Sequence, residues 1–208
     1  DGWLWVKIAG RDVRVIETGN IAIKGPHNLQ NASAAAVMAA CMEVAPEVMA
    51  RVLASFPGVE HRLEKAGVVA GVTFINDSKA TNVDSVRWAL RSMETPVYLI
   101  LGGRDKAGVF EPIAEYGAGK IRGIVAIGEA REKIFNALGR LIPTQFAENL
   151  EEAMRKCFQM AHPGETVLLS PGCASFDQFD NYEHRGRVFK EVVQKLRNGK
   201  SSDETVAR

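Results

Sequence analysis

The sequence holds no run approaching the roughly 18 uncharged apolar residues of a membrane span, and its first residues lack the pattern of a secretory leader. Those absences lead to the expectation of a cytoplasmic protein with no membrane partner. Excess charge is missing too. The formal net charge is +1, so there is no basic field to hold nucleic acid and no acidic run to keep the chain unfolded. Any anion must therefore be held by a local group of residues. Cysteine is scarce: Cys41, Cys157 and Cys173 are far apart and odd in number, with no CxxC spacing, which argues against a disulfide frame and a zinc knuckle. Cys41 and Cys157 fall on apolar helix faces and are expected in the core. Cys173, in a polar loop, fits a small packed thiol better than a nucleophile. His61, His162 and His184 show no metal spacing such as HExxH, so no metal ligands are expected in this chain.

What is present is an ordinary globular balance. With 46% hydrophobic and 25% charged residues over 208 positions, the chain can bury one large core or two small ones. Residues 1–24 alternate as a hairpin carrying Trp3, Trp5, Val13, Val15 and Ile16, followed by a short apolar run at 21–23. A hairpin alone is marginal in water, so these faces need further cover. Pro26, His27 and Asn28 open an Ala-rich helix to about Val44, and a second helix follows Pro46, each proline standing where a first turn tolerates it. Phe56, Pro57 and Gly58 break the pattern and set an expected boundary between 1–57 and 58–198.

Beyond it, strands at 63–69 and 72–76 meet at Ala70 and Gly71. Helices are then expected at 83–93, around 112–116, and at 131–138, 150–161 and 183–196. They alternate with strands at 97–101, 124–127, 144–147 and 166–169. This alternation predicts an α/β fold, a Rossmann-like doubly wound, mostly parallel sheet. The polar stretch 199–208 is expected to be a disordered tail.

Chemistry concentrates after the strands. In FINDSKATN an apolar strand runs into Asp77, Ser78, Lys79, Thr81 and Asn82. A helix cap at Thr81 or Asn82 explains one of these, but gives no reason for Lys79. In a doubly wound sheet, ligands bind at the carboxyl ends of the strands. There DSKATN would meet GGRDKAG, GEAR and SPGCASFDQFDNYEHRG. The glycines of GGRDKAG could let backbone N–H groups approach an anion beside Arg104 and Lys106, although a solvated turn explains them equally well.

GAGK at 117–120 lacks the first glycine and the closing Ser or Thr of GxxxxGK[ST] and fits a helix stop instead. The loop at 170–182 is long enough to suggest binding. Its aromatics Phe176, Phe179 and Tyr182 would pin it while Ser170, Ser175, Asp177, Gln178 and Asn181 are presented. A crevice lined by Lys79, Thr81, Lys106 and Ser175, two cations and two hydroxyls, suits a small dicarboxylate.

In order and spacing, GPHNLQNASAAA, EHRLE, INDSKATN, LGGRDKAGVF and LLSPGCASFDQFDNYEHRGRVF resemble the Mur ligases, most closely the MurD type. Those enzymes add D-glutamate to UDP-N-acetylmuramoyl-L-alanine through an acyl phosphate made with ATP and Mg2+. The resemblance runs from about Gly25 to Leu196. It implies that Asn28 and Asn31 contact the adenine side of ATP, that Arg62 contacts phosphate and Asp77 the ribose, and that Lys79 lies near the reacting phosphate. Thr81, Lys106, Ser175 and Tyr182 would hold D-glutamate. The family usually has Phe where Tyr182 stands and often Ala at Gly172.

The resemblance also implies that residues 1–57 end the central ATP-binding domain and that 58–198 form the amino-acid-bringing domain. The UDP-binding domain, the phosphate loop and the Mg2+ ligands would then lie upstream of Asp1. The chain is thus expected to be a C-terminal portion, monomeric and inactive alone, whose partners are small molecules. Two other readings stay open here: a ligase of the same superfamily with another amino acid, such as a folylpolyglutamate synthetase, and a non-catalytic nucleotide-binding module.

Overall fold

The computed structural model describes residues 2–206, with side chains described for 2–199. The chain divides into two compact units, Asp1–Val59 and Glu60–Arg208.

In the first unit, β1 (Trp3–Ile8) pairs antiparallel with β2 (Arg11–Glu17). Helices α1 (Pro26–Cys41) and α2 (Pro46–Ser55) follow, each with proline in its first turn. The hairpin turns its alternation the other way from the tryptophans. Leu4 and Val6 are buried with Val15, Ile16, Ile21, Ala32, Ala36 and Met49, whereas Trp5 is 51% exposed. A bulge between Leu4 and Trp5 shifts the register, and the Arg14 guanidinium covers the Trp3 ring at 4.0 Å.

A 3-10 turn, Thr18–Asn20, precedes the apolar run at 21–23, of which Ile21 is buried. One further expectation is corrected. Cys41 is exposed rather than in the core, because α1 buries the stripe His27, Asn28, Ala32 and Ala36 and ends at that cysteine.

The second unit is a six-stranded sheet in the order β3-β4-β8-β5-β6-β7. Its strands are β3 (Glu64–Val69), β4 (Val72–Asn76), β5 (Val97–Gly102), β6 (Ile121–Ile127), β7 (Thr144–Phe146) and β8 (Thr166–Leu169). β3 and β4 form an antiparallel edge hairpin whose turn residues, Ala70 and Gly71, both have positive φ, the backbone that two-residue hairpins require. All other pairings are parallel. The helices are α3 (Val83–Arg91), α4 (Pro112–Tyr116), α5 (Arg131–Leu138), α6 (Leu150–Met160) and α7 (Tyr182–Val206).

Buried parallel strands read as nearly continuous apolar runs, and their side chains still alternate between faces. Leu99, Leu101, Ile124, Ala126 and Leu168 pack against α3, α4 and α5. Ile100, Val125, Ile127, Val167 and Leu169 pack against α6 and α7. Each of these larger aliphatics is fully or almost fully buried, which contributes roughly 1.5–3 kcal/mol apiece. The fold is therefore α/β, mostly parallel, with helices on both faces. Asn82 caps α3 and Asn149 caps α6, each accepting the N–H three residues on. Helix α7 passes the expected end at Leu196 and is assigned to Val206. The expected tail, 199–208, falls almost wholly on residues whose side chains lie outside the description.

Candidate functional site

β4, β8, β5 and β6 are consecutive in the sheet, so their following loops meet at one edge. Asn76 ends β4 fully buried. Its amide donates to His61 Nδ1 (2.9 Å) and Glu64 Oε2 (3.0 Å), and its carbonyl oxygen accepts from Ser78 N (3.2 Å). Burial pushes the His61 imidazole below its usual pKa, in keeping with an accepting, neutral Nδ1. Asp77 is 5% exposed. Its carboxylate accepts from Ser170 Oγ (2.8 Å) and Leu63 N (3.2 Å). Burial raises its pKa to about 7, against the lowering effect of those two hydrogen bonds and of Arg62. Asp77 thus couples the first loop to the last, since Ser170 follows β8.

Lys79 is half-buried. Its ammonium donates to the Tyr182 hydroxyl (3.0 Å) and lies 4.7 Å from the centre of that ring. The Tyr182 hydroxyl also bonds the neighbouring Glu183 carboxylate, which is held below the usual range. Lys79 and Tyr182 are accordingly brought together. Thr81 is half-buried at the entrance to α3 and Arg62 is exposed at the start of the β3 hairpin.

Lys106 is exposed and takes part in none of the ion pairs among the described residues. Its loop is held by Asp105, which accepts from Lys133 Nζ (2.8 Å) and Gly108 N (2.9 Å). A Cβ on Gly108 would lie 3.6 Å from Val83 of α3, so this loop borders the helix that follows Thr81.

Gly102 and Gly103 of GGRDKAG serve neither an anion cradle nor a solvated turn, the two readings open from the sequence. Gly102 N donates to Pro171 O (2.8 Å), Gly103 N to Ile127 O (3.1 Å) and Arg104 N to Ala174 O (2.9 Å). Gly102 and Gly103 have φ of 122° and 136°, and a side chain on either would collide with Ile127 O or Ala174 O. These residues are glycine so that three loops can interlock, and their N–H groups are engaged in doing so.

The long loop also differs from expectation. Residues 170–175 are buried, including Ser170 and Ser175, while Phe176 is 58% exposed and Phe179 joins the core only in part. Backbone atoms, not aromatic anchors, hold most of it: Gly172 N donates to Ala80 O (2.9 Å), and Ser175 O accepts from Phe179 N (2.8 Å). Asp177 is not presented to solvent alone, because it accepts from Glu129 N (3.1 Å). The Cys173 thiol is buried and pushed up to about 12, which suits a packed thiol and not a nucleophile.

The residue that the sequence reading missed is Arg185. It is fully buried on α7, and its guanidinium donates to Ser78 Oγ (3.0 Å), Ser78 O (2.9 Å), Cys173 O (3.2 Å) and Ala174 O (3.4 Å). A signal was available. Arg185 lies four, seven and eight residues before Phe189, Val192 and Val193, on the apolar stripe of the helix.

Glu60, His61 and Glu64 bring three potential metal-ligand atoms within 4.8 Å of one another. The arrangement does not fit a cation such as Mg2+: the Lys190 ammonium bonds both Glu60 and Glu64, and His61 Nδ1 faces Asn76. In the first unit, Asn28 is buried and donates to Lys24 O (2.8 Å), and Asn31 Nδ2 approaches Asn28 Oδ1 at 3.5 Å. The two amides therefore share one side of the α1 entrance. No helix among the described residues is long and apolar enough to cross a membrane.

Residues 61–173 match the family model described as Mur ligase, glutamate ligase domain. The chain is 45% identical over 199 residues to the UDP-N-acetylmuramoylalanine--D-glutamate ligase of Chlorobaculum tepidum, covering 94% of this chain and 43% of that protein. The same-named ligase of Salinibacter ruber is 41% identical over 197 residues, with 94% and 43% covered. The chain thus spans less than half the length of these relatives. Among solved structures, MurF ligase from Thermotoga maritima in complex with ADP superposes with a TM-score of 0.63 at 13% identity, over 92% of this chain and 46% of that one. With the family model covering more than half of its residues and the interlocked loops in place at the carboxyl edge of the sheet, the chain belongs to the Mur ligase family.

Proposed function

We propose that the chain supplies the amino-acid-binding part of an ATP-dependent ligase that joins D-glutamate to UDP-N-acetylmuramoyl-L-alanine in the cytoplasm. The observation that carries the proposal is the interlocking of DSKATN, GGRDKAG and SPGCASFDQF at the ends of three neighbouring strands. The relatives named for this reaction, 41–45% identical over nearly the whole chain, support it.

In this reading the precursor carboxylate attacks the terminal phosphoryl group of ATP, giving an acyl phosphate and ADP. The D-glutamate amine then attacks the acyl carbon, phosphate departs with the C–O bonding pair, and the amine loses its proton. Negative charge accumulates at the phosphate and at the tetrahedral carbon, and a fixed cation stabilises both. Lys79 takes that role, its ammonium steadied by the Tyr182 hydroxyl. Thr81, Lys106, Ser175 and the Tyr182 ring hold the two carboxylates of D-glutamate at a set separation, which converts an encounter into an oriented attack. The exposed, unpaired Lys106 suits a group whose partner is the substrate.

Asp77, with a pKa near neutrality, suits a ribose hydroxyl that it can meet as acceptor or donor. Arg62 is assigned to phosphate, and Asn28 and Asn31 to the adenine side. The first unit is taken as the end of the central ATP-binding domain, in keeping with its exposed Val37, Met38, Met42 and Val52. Binding of Mg2+ is assigned to other parts of the ligase, because the one acidic cluster described here is occupied by Lys190.

The test is an amino-acid panel on the intact ligase. D-glutamate is expected to give product with ATP and the muramoyl-alanine nucleotide, while L-glutamate, L-alanine and diamino acids do not. Use of a different amino acid in place of D-glutamate would overturn the substrate assignment. Absence of activity with any would favour a binding module.

A further inference from the structure

Arg185 is a buried cation whose hydrogen-bond partners are all neutral. Its four acceptors are Ser78 Oγ, Ser78 O, Cys173 O and Ala174 O, and the charge it feels beyond them is that of Asp177. Withdrawing a guanidinium from water costs several kcal/mol when no ionised partner is bonded to it. Such a group is tolerated only where several acceptors are aligned on its fork, and that alignment fixes the backbone carrying them.

Here the acceptors belong to two loops that follow neighbouring strands, β4 and β8. Ser78 Oγ donates onward to Tyr182 O (2.8 Å). Ala174 O is shared with Arg104 N (2.9 Å), which brings in the third loop. A Cβ on Gly103 would also stand 3.2 Å from the Arg185 Nη1. One guanidinium therefore sits where three substrate-facing loops converge.

We propose that Arg185 is a positioning residue, which locks the 77–82 loop to the 170–181 loop and so sets Lys79 and Thr81 against Ser175 and Lys106 for D-glutamate. This rests on the reading under Proposed function. Arg185 acts through those side chains and does not touch the substrate. Lysine cannot replace it, since one ammonium cannot span acceptors that the planar fork reaches on two sides.

The three cysteines provide a local reporter. Cys41 is exposed, Cys173 is buried in the locked loop, and Cys157 is buried in the core under α6. The experiment uses the intact ligase, comparing wild type with Arg185→Met and Arg185→Lys by steady-state kinetics and by site-resolved maleimide labelling. In both variants the KM for D-glutamate is expected to rise by about tenfold or more and the KM for ATP by much less, because Asp77 keeps its own bonds to Ser170 Oγ and Leu63 N. Cys173 is expected to label at least about tenfold faster, with Cys157 still protected, as in local opening of one segment.

Ser78→Ala removes one of the four acceptors, with the hydroxyl's own bond to Tyr182 O, and is expected to give the same pattern at about threefold or more. It carries the test alone if the Arg185 variants do not fold. Wild-type kinetics and labelling in these variants would overturn the proposal. So would equal losses for both substrates with Cys157 exposed alongside Cys173, which is general destabilisation. Failure of the underlying reading is separate, because the wild-type enzyme would then not use D-glutamate.

Discussion

At the scale of single residues, the site is built from groups whose surroundings set their charge. Asp77 titrates near 7 because it is buried, against about 3.9 in an unfolded chain. Between those values the folded state holds more protons than the unfolded one, so this residue's contribution to stability falls as pH rises from about 4 to about 7, by at most about 1.4 kcal/mol per unit. Asp77→Asn removes that slope. The variant is expected to gain in melting temperature relative to wild type at pH 8 and to gain little at pH 5; a difference independent of pH would contradict the burial argument. Taking the difference between variant and wild type cancels groups that act in the opposite sense, such as Asp105, which its hydrogen bond from Lys133 holds low.

Tyr182 makes two contacts with Lys79, through its hydroxyl and its ring. Tyr182→Phe keeps the ring and is expected to lower kcat/KM only about threefold, the scale of one partly exposed hydrogen bond. Tyr182→Ala is expected to lose about tenfold or more. Equal losses in the two variants would place the whole effect in the hydroxyl. At this scale the sequence marked Lys79, Thr81, Lys106 and Ser175 as candidates by their position after strands, but not Arg185, because an arginine near a helix start is ordinarily solvated. Its place on the stripe with Phe189 and Val192 carried the information.

At the scale of elements, caps and glycines decide where loops begin and how closely they approach. Asn82 accepts the Ser85 N–H at 2.8 Å, and Asn82→Ala is expected to cost about 1 kcal/mol of stability, measured by denaturant unfolding. Gly103 has a φ of 136° and faces Ala174 O. Gly103→Ala is expected to destabilise by about 1–3 kcal/mol and to weaken D-glutamate use together with it. A neutral outcome would show that the loops are not interlocked there.

Periodicity located nearly every strand and helix of the second unit, because the alternation of buried faces in a parallel sheet is a property of the sequence itself. It failed where tertiary contacts decide. In the first hairpin Leu4 and Val6 face the core and Trp5 does not, a choice set by what packs against the strands and not by their alternation. The N–H groups of Gly102, Gly103 and Arg104, available to an anion on sequence grounds alone, are taken by carbonyls from loops remote in the chain.

At the scale of the whole molecule, strand order is what the proposed function rests on. β8 returns between β4 and β5, which sets the last loop of the chain between the first two, and so gathers Lys79, Lys106 and Ser175 from stretches far apart in sequence. The alternation of strands and helices made the fold class legible, and the loop motifs made the family legible. The engagement of each loop with its neighbours was not, since it depends on which strands lie side by side.

The central claim is that Lys106, at this edge of the sheet, binds D-glutamate and takes no part in holding the nucleotide. The most direct measurement is the pair of KM values, for D-glutamate and for ATP, in the intact ligase carrying Lys106→Ala. The account predicts a KM for D-glutamate raised by at least about tenfold with that for ATP within about twofold. An unchanged KM and rate with D-glutamate would contradict it.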